Sequence, residues 1–466
     1  MKKYLLMAVC IIMMSMTASA DESGTCGTNV IWSWVESTKT LTISGTGSME
    51  RYGYFPWDDV GSFYDAPWDN FKEKIQTVVI KQGVNNIGGG AFHDCINLTS
   101  VIVPSSVTTF GPCAFSGCSS LSSINIPNGV QSILYNAFQG CNSLSSITIP
   151  SSVTYIELSD KYFNAFADCG GLTSIIVESG NPNYDSRNNC NAIIETSTNT
   201  LIAGSNNTII PNTVSSIAHH AFSGRTNMTY ITIPNSVTAI GRQAFFDCTN
   251  LLTFTIPNTV TEPGDEFLAR CTSLTTVTIE GDRFSLGSGA FSGCSKLTDI
   301  YFTGLVDNTF SISRPYYYGD DFYSNVTAHV PAAFLEKYPY VFFVNGNSNF
   351  GFKDLKTLEG SSIPKCEKPV ISFVSGKLSF TSATPGAEFH WTITSANGEN
   401  GSGVSSEVNT SFTVSVYAAK TGCVNSDMET RQFDCNTGAL KGDVDGNGVV
   451  NVADHVELTK IIMNQE

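Results

Sequence analysis

The sequence has few basic residues: Lys and Arg total 25 against 41 Asp and Glu, and the four types together make up only 14% of the chain. Nucleic acids and anionic membrane surfaces are bound through clustered positive charge, which this composition does not supply. Past the N-terminal segment, the chain also has no uninterrupted apolar run of about 20 residues, the length that a membrane span needs. Neither nucleic-acid binding nor membrane insertion is therefore expected.

The N-terminal segment has the layout of a secretory signal peptide. Lys2 and Lys3 precede an apolar stretch over residues 4–14, and the small residues 18–20 follow. Cleavage after residue 20 would leave 23 basic against 41 acidic residues, a net charge of −18. We therefore expect residues 1–20 to be a signal peptide and the mature protein to be secreted or held at the cell surface.

A repeat of about 23 residues dominates the middle of the chain. Its pattern is L-x-x-I-x-I-P-x-x-V-x-x-I-x-x-x-A-F-x-x-C, in which the first six residues alternate as a short strand does and the proline ends that strand. Each unit leaves apolar surface uncovered, so neighbouring units must stack, with Leu on Leu and Phe on Phe. The leading residues that mark the period are Leu98, Leu121, Leu144, Met228, Leu251, Leu274 and Leu297.

Seven cysteines share one place in this repeat, three residues after the core Phe: Cys95, Cys118, Cys141, Cys169, Cys248, Cys271 and Cys294. Because that place faces inward, we expect a column of buried free thiols that pack as small apolar groups. A spacing of 23 residues does not supply the clustered ligands of a metal site. Cys366, Cys423 and Cys435 lie outside the repeats, where one disulfide of undetermined pairing is compatible with the sequence.

The repeat is interrupted in its middle. Residues 172–227, approximately, form an elaborated repeat with strand-like runs at 192–195 and 201–203, and a smaller insertion surrounds Asp160. Such insertions emerge on one face, which is either a binding face or a place where loop growth is tolerated. Arg225 stands where the pattern has Cys. Since a buried guanidinium would need paired acceptors, we expect Arg225 on a loop that turns outward.

The P-x-x-V-x-x-I-x-x-x-A-F-x-x-C pattern resembles that of the BspA-like family of bacterial leucine-rich-repeat proteins. The resemblance covers about residues 75–305 and implies a solenoid that is capped at both ends. Residues 21–74, with the hairpin pattern VIWSWVESTKTLTISGTG, would be the N-terminal cap, and residues 306–360 the C-terminal cap. The family is associated with adhesion to host matrix proteins and to other cells, so the resemblance implies a binding surface.

The outward strand positions form a ladder of mostly small polar residues, and extended surfaces of this kind serve solenoids in recognition. In this ladder only Tyr230 and Tyr301 are large enough to anchor a partner. Tyr316 and Tyr317, in an aromatic cluster after the repeats, are further candidates, although closing the last coil would use them equally well. The ladder comprises Ser122, Ser123, Asn125, Ser145, Ser146, Thr148, Thr229, Tyr230, Thr232, Thr275, Thr276, Thr278, Asp299 and Tyr301.

Two smaller modules are expected after the caps. Residues 366–436 alternate apolar residues between Gly-rich turns, which predicts a small immunoglobulin-like β-sandwich. In residues 440–466, ligands fall at positions 1, 3, 5, 7, 9 and 12 of a calcium loop with Gly448 at its turn. The expected ligands of this structural calcium ion are Asp443, Asp445, Asn447, Val449 through its carbonyl, Asn451 and Asp454.

The calcium segment is similar to one half of a dockerin, including Asp at position 12. A dockerin has two such loops and this chain has one, so cohesin binding does not follow from the resemblance. An amphipathic run over residues 452–463 has apolar residues to bury, so it is expected to dock on its own protein or on a partner.

The sequence thus predicts a mainly β solenoid of short leucine-rich repeats with two caps, followed by a small β-sandwich and a loop-helix calcium motif. The predicted function is a secreted or cell-surface, adhesion-like protein that binds an extracellular protein or glycan. The alternative is a structural subunit of an extracellular assembly, attached through the dockerin-like module. A β-helix polysaccharide enzyme is a remote alternative, because the repeats lack a recurring acidic and basic cluster and the six histidines are scattered. We therefore expect no enzymatic activity.

Overall fold

The computed structural model describes residues 20–53, 65–158, 163–281, 286–304, 325–332, 354–358, 367–374, 377–395, 412–419, 426 and 429–433. Residues 1–19, the calcium loop, Tyr316 and Tyr317, and Cys366, Cys423 and Cys435 lie outside these ranges. The described residues fall into two compact units, one that runs to Asp299 and one that starts at Ile300.

The first unit consists of short strands joined by turns, with 3-10 helices at Glu36–Thr38, Asp69–Lys74 and Arg187–Asn189. Its strands are β1 (Glu22–Gly27), β2 (Val30–Val35), β3 (Thr40–Gly45), β4 (Gly47–Ser48), β5 (Thr77–Ile80), β6 (Val84–Ile87), β7 (Ser100–Ile102), β8 (Thr109–Phe110), β9 (Ser132–Ile133), β10 (Ser146–Ile149), β11 (Tyr155–Ile156), β12 (Ser174–Val177), β13 (Tyr184–Asp185), β14 (Ala192–Glu195), β15 (Thr200–Gly204), β16 (Ser216–Ile217), β17 (Ala239–Ile240), β18 (Thr253–Ile256) and β19 (Thr276–Ile279). The strand β20 (Asp299–Phe302) begins at the last residue of this unit.

The N-terminal hairpin that the sequence predicts is confirmed. Strand β2 pairs antiparallel with β3 and also with β1. Strand β3 then pairs in parallel with β5, so the hairpin continues directly into the strands of the repeats. Trp32 and Trp34 are buried, and the ring of Trp68 stacks on Phe92 of the first coil at 5.7 Å. These aromatic side chains cover apolar surface that an uncapped first coil would expose to water.

Each coil presents three faces. The L-x-x-I-x-I segments form the first sheet, in which β5 pairs with β7, β10 with β12, and β18 with β19, all in parallel. The V-x-x-I segments form a second sheet of very short strands, in which β6, β8, β9 and β11 pair in parallel. The sequence indicated only the first of these sheets, because a strand of two residues is too short to show alternation.

The third face carries the Ala-Phe turns, which are joined by backbone hydrogen bonds from each coil to the next. In one coil, Cys113 N, Phe115 N and Gly117 N donate to the carbonyls of the following coil at 3.0, 2.8 and 2.7 Å. Two residues of such a turn have left-handed backbone, as Asn136 (φ 55°) and Gly140 (φ 71°) show. This conformation favours Gly, Asn and Asp, which explains why these types recur there.

The interior of the solenoid is a stack of identical side chains, as the repeat predicts. The rings of Phe92, Phe115, Phe138 and Phe166 follow one another at centroid distances of 5.1, 5.7 and 5.6 Å. The seven repeat cysteines are all free and buried, which confirms the predicted thiol column. Each thiol also donates across the coils: Cys118 Sγ lies 3.1 Å from the carbonyl oxygen of Phe92. The thiol therefore satisfies a buried carbonyl as well as filling space.

The second unit contains only β structure in its well-defined segments. Its strands are β21 (Thr327–Val330), β22 (Asp354–Thr357), β23 (Val370–Val374), β24 (Lys377–Thr381), β25 (Glu388–Ser395), β26 (Phe412–Ala419) and β27 (Glu429–Phe433). Strands β23 and β24 form an antiparallel hairpin, and β25, β26 and β27 form an antiparallel sheet. These two sheets are joined by a 2.9 Å hydrogen bond from Arg431 Nη1 to Ile371 O. The immunoglobulin-like sandwich over residues 366–436 stays a prediction.

No helix among the described residues combines the length and the apolar character that a membrane crossing requires.

Candidate ligand-binding surface

The elaborated repeat adds an antiparallel hairpin to the coil stack. Strand β14 pairs antiparallel with β15, and β15 pairs in parallel with β16 of the following coil. The two strand-like runs that the sequence indicated are confirmed at Ala192–Glu195 and Thr200–Gly204. The hairpin thereby becomes part of a five-stranded sheet in the order β13, β14, β15, β16 and β17.

The end of β15 lies between two coils. Gly204 N donates to Ala221 O at 2.9 Å on one side. The side-chain amide of Asn164 on the other side donates to Ile202 O at 3.3 Å and to His220 O at 2.8 Å. A Cβ at Gly204 would lie 2.0 Å from the ring of Phe222, so only glycine fits there. The inserted strand therefore widens the stack at this level.

The expectation for Arg225 was wrong: its side chain is fully buried and does not turn outward. Its Nε donates to Gly204 O at 2.6 Å, its Nη1 to Ser223 O at 3.0 Å and its Nη2 to Phe166 O at 2.8 Å. Burial lowers the pKa of this guanidinium from its ordinary value. The paired acceptors that a buried guanidinium needs are supplied by the backbone that the inserted strand displaces.

Asn181, which marked the elaborated repeat as a candidate surface, is occupied by structural contacts. Its Nδ2 donates to Pro150 O at 3.0 Å and to Val153 O at 2.9 Å, and its Oδ1 accepts from the backbone N–H groups of Asn183 and Tyr184. All the hydrogen-bonding capacity of this amide is thus directed at its own chain.

After the hairpin the chain re-enters the first face of the solenoid at residues 205–210. Asn206 N donates to Leu172 O at 2.8 Å, and Ser205 Oγ to Thr173 O at 3.2 Å, so this segment lies beside β12. The next coil follows with a shift of 23 residues, as the pairing of Ile217 with Ile240 shows. The outward positions of consecutive coils therefore form one row: Ile176, Ile209, Thr232, Thr255 and Thr278.

Three large side chains are exposed together on this face. Ile209 and Tyr230 are each 76% exposed and Ile176 is 51% exposed. We refer to Ile176, Ile209 and Tyr230 as the apolar patch. Ile209 was missed in the sequence, although a signal was present: IIPNTV aligns with TIPNSV, which places Ile209 at the position of Thr232.

Part of the Ser/Thr ladder has a structural use. The first outward Thr of several coils donates its hydroxyl to the carbonyl of the previous coil, at 3.2 Å from Thr99 to Gln76 O and at 3.1 Å from Thr275 to Leu252 O. Thr173 and Thr298 make the equivalent bonds. These hydroxyls tie the coils together, which narrows the ladder to its other outward positions.

The structure separates the predicted ligand-contact tyrosines. Tyr230 stands exposed within the apolar patch, whereas Tyr301 is partly buried and its ring stacks on His329 at 4.1 Å. Tyr316, Tyr317 and the calcium ligands lie outside the described residues. In the part of the chain that is described, no group of three or more His, Cys, Asp or Glu side chains is placed to hold a metal ion.

A groove of about 740 Å³ lies beside the apolar patch. It spans the ends of three consecutive first-sheet segments, from the coil of Asn212 to the coil of Glu280. Its lining combines polar side chains with the edges of core residues: Asn212, Ile231, Thr232, Ile233, Pro234, Asn235, Ser236, Thr255 and Glu280.

A family model described as a BspA type leucine rich repeat region, in six copies, matches residues 69–193 and 202–316, slightly more than half of the chain. Among solved structures, the chain is similar to a leucine-rich repeat protein from Eubacterium ventriosum, with 23% identity and a TM-score of 0.48 over 74% of this chain and 96% of that one. It is similar to a leucine rich cell surface protein from Faecalibacterium prausnitzii, with 21% identity and a TM-score of 0.41 over 73% and 96%. It is also similar to the pneumococcal vaccine antigen PcpA, with 17% identity and a TM-score of 0.43 over 73% and 99%. No curated protein matches the chain.

Proposed function

The chain belongs to the BspA-type leucine-rich-repeat family, and from that membership we propose that it is a secreted or cell-surface protein that binds an extracellular protein or glycan through the outward face of its first sheet. Secretion rests on the signal-peptide layout of residues 1–20. The binding face is proposed because stacked coils present a long, continuous surface that no single coil could form.

The apolar patch is the observation that carries the proposal. Other outward positions in the same row are Thr, which favours strands without adding exposed apolar surface. Ile209 and Tyr230 are three-quarters exposed, so neither contributes much to the folded core. Tyrosine is enriched among the residues that dominate binding energy, and contiguous exposed apolar side chains mark interaction sites.

The test is a binding screen of the full mature chain against matrix-protein and glycan arrays, followed by affinity measurements with any ligand found. Tyr230→Ala and Ile209→Thr should each weaken binding at least tenfold, since truncating an interface anchor costs about 2 kcal/mol or more. Tyr155→Ala is the matched control, because Tyr155 is 50% exposed on β11 of the second sheet. A ligand whose affinity changes less than twofold in both patch variants would overturn the assignment of this face.

The calcium loop remains a separate proposal. Its support is the placement of oxygen ligands at all six expected positions between Asp443 and Asp454. Attachment to an extracellular assembly through this segment is the second candidate function, and it predicts that the segment, and not the apolar patch, retains partners. No catalytic role is proposed.

A further inference from the structure

The groove beside the apolar patch contains a hydroxyl that the fold leaves unsatisfied. In three other coils, the residue before the conserved-position Val donates its hydroxyl to a Val carbonyl of the preceding coil: Ser106, Ser152 and Thr259, at 2.7, 2.7 and 2.6 Å. Ser236 stands at the equivalent place and lines the groove, yet its shielded Oγ has no hydrogen-bond partner among the described residues. A buried hydroxyl without a partner costs about 1–3 kcal/mol, so a ligand group that pairs with it would bind favourably.

The polar side chains that line the groove can each exchange hydrogen bonds with hydroxyl groups. The amides of Asn212 and Asn235 offer donors and acceptors, the hydroxyls of Thr232 and Thr255 offer both, and the carboxylate of Glu280 accepts. None of the described lining residues is basic, so nothing among them would pair with an anionic sugar, which Glu280 would repel. The lining therefore fits a neutral, hydroxyl-rich ligand.

An aromatic ring stands next to this polar lining. Tyr230 and Thr232 alternate on one extended segment, so both project outward and lie about 7 Å apart along the chain. The ring of Tyr230 is 76% exposed, and Ile209 occupies the neighbouring position of the adjacent coil. An exposed aromatic face with hydrogen-bonding groups at one side supplies the two kinds of contact that a pyranose ring can make, through its C–H face and its hydroxyls.

We propose that this groove binds a neutral oligosaccharide, with Tyr230 packed against one sugar ring and with Asn235 and Glu280 bound to sugar hydroxyls. The inference deepens the proposed function, on which it rests, by naming the ligand class of the same face. The groove volume of about 740 Å³ lies within the range of small-ligand sites, which corresponds to a few sugar rings in a partly open site.

The experiment is a glycan array that presents neutral and acidic oligosaccharides to the full mature chain, followed by calorimetric titration. Xylohexaose, mannohexaose and chitohexaose serve as soluble neutral probes, and hexagalacturonic acid as the acidic probe. Binding to at least one neutral glycan is expected, with none to the acidic probe. Asn235→Ala and Glu280→Gln should each weaken neutral binding at least fivefold. Asn128→Ala, which changes the equivalent asparagine of a distant coil, should leave it unchanged.

Three results would overturn the inference. They are no binding to any neutral glycan, preferential binding to acidic glycans, and neutral binding that persists unchanged in both groove variants. If a matrix protein binds in a Tyr230-dependent way while every neutral glycan fails, the inference is wrong and the proposed function stands. If the ligands found are insensitive to both the apolar patch and the groove, both are wrong.

Discussion

The guanidinium of Arg225 donates a 2.8 Å hydrogen bond to the carbonyl oxygen of Phe166, in the place where other coils use a cysteine thiol. In the regular coils the corresponding bond runs from Cys141 Sγ to Phe115 O at 3.3 Å and from Cys248 Sγ to Phe222 O at 3.2 Å. A longer donor is needed at Arg225 because β15 lies between its coil and the preceding one. The arginine and the inserted hairpin therefore form one structural unit.

Replacing Arg225 with Met should destabilise the protein by at least about 3 kcal/mol, because it leaves the carbonyls of Phe166, Gly204 and Ser223 without their donor. Urea unfolding followed by circular dichroism measures this loss. Arg242→Met is the control, because Arg242 is half-exposed and makes only a surface ion pair with Glu266 that contributes at most about 1 kcal/mol. Equal losses in the two variants would contradict the structural role of Arg225.

Gly204→Ala should destabilise the protein more than a change at an open glycine does. A Cβ at Gly204 would meet the Phe222 ring, whose stacked neighbour Phe245 at 4.9 Å limits its movement. Gly180→Ala provides the comparison, since Gly180 has open space around it and only a left-handed backbone (φ +88°), which costs about 1–2 kcal/mol. Thermal unfolding of both variants tests the order, and a smaller shift for Gly204→Ala would show that β15 lies elsewhere.

Stability should fall as the pH drops from about 6.5 to 4, in part through His220. Burial lowers the pKa of His220 from 6.5 to about 4, while Asp168 opposes this shift and His219 and Arg242 add to it. In this pH range the unfolded chain binds a proton that the folded chain does not, so protonation favours unfolding. The full difference corresponds to about 3 kcal/mol.

The measurement is the urea midpoint of the wild type and of His220→Asn at several pH values. Asn suits the left-handed backbone of this position (φ 55°) and does not titrate. The variant should lose less stability than the wild type between pH 7 and 4. Parallel losses in the two proteins would rule out a contribution from His220.

Calcium should bind at a single site and should depend on the predicted loop. Calorimetric titration of the mature chain should show binding that Asp443→Ala and Asp454→Ala each abolish or weaken more than tenfold, because these residues occupy the first and last ligand positions. Asp427→Ala removes one carboxylate outside the loop and should have no effect. Calcium binding that survives both loop substitutions would place the ion elsewhere.

The sequence predicted the interior of the solenoid well, because a fixed period places identical side chains on top of one another. The stacking of Phe115 on Phe138 and the burial of Cys118 and Cys141 follow directly from a spacing of 23 residues. The antiparallel hairpin of β2 and β3 was also evident from alternation. Tyr230 was found on the exposed face because its position in the repeat is outward.

Features that depend on departures from the period could not be predicted in the same way. The orientation of Arg225 depends on where β15 lies, and no repeat unit reports the position of an inserted strand. The left-handed residues of the third face, such as Asn136, reflect backbone geometry that the apolar pattern does not encode. The groove required Asn212 and Glu280 to be brought together across coils, which became visible only once the insertion had been placed in register.

The thiol column makes the order of events during folding important. Burial raises the pKa of Cys95 to about 12 and that of Cys118 well above its ordinary value, so in the stacked coils these thiols are neutral and shielded from oxidants. In a newly exported, unstacked chain the same thiols are open to reaction, and any cross-link would join coils out of register. Rapid stacking outward from the Trp-rich hairpin would thus act as a chemical protection for the chain, and a slow-folding variant would be damaged by covalent mispairing before it lost stability.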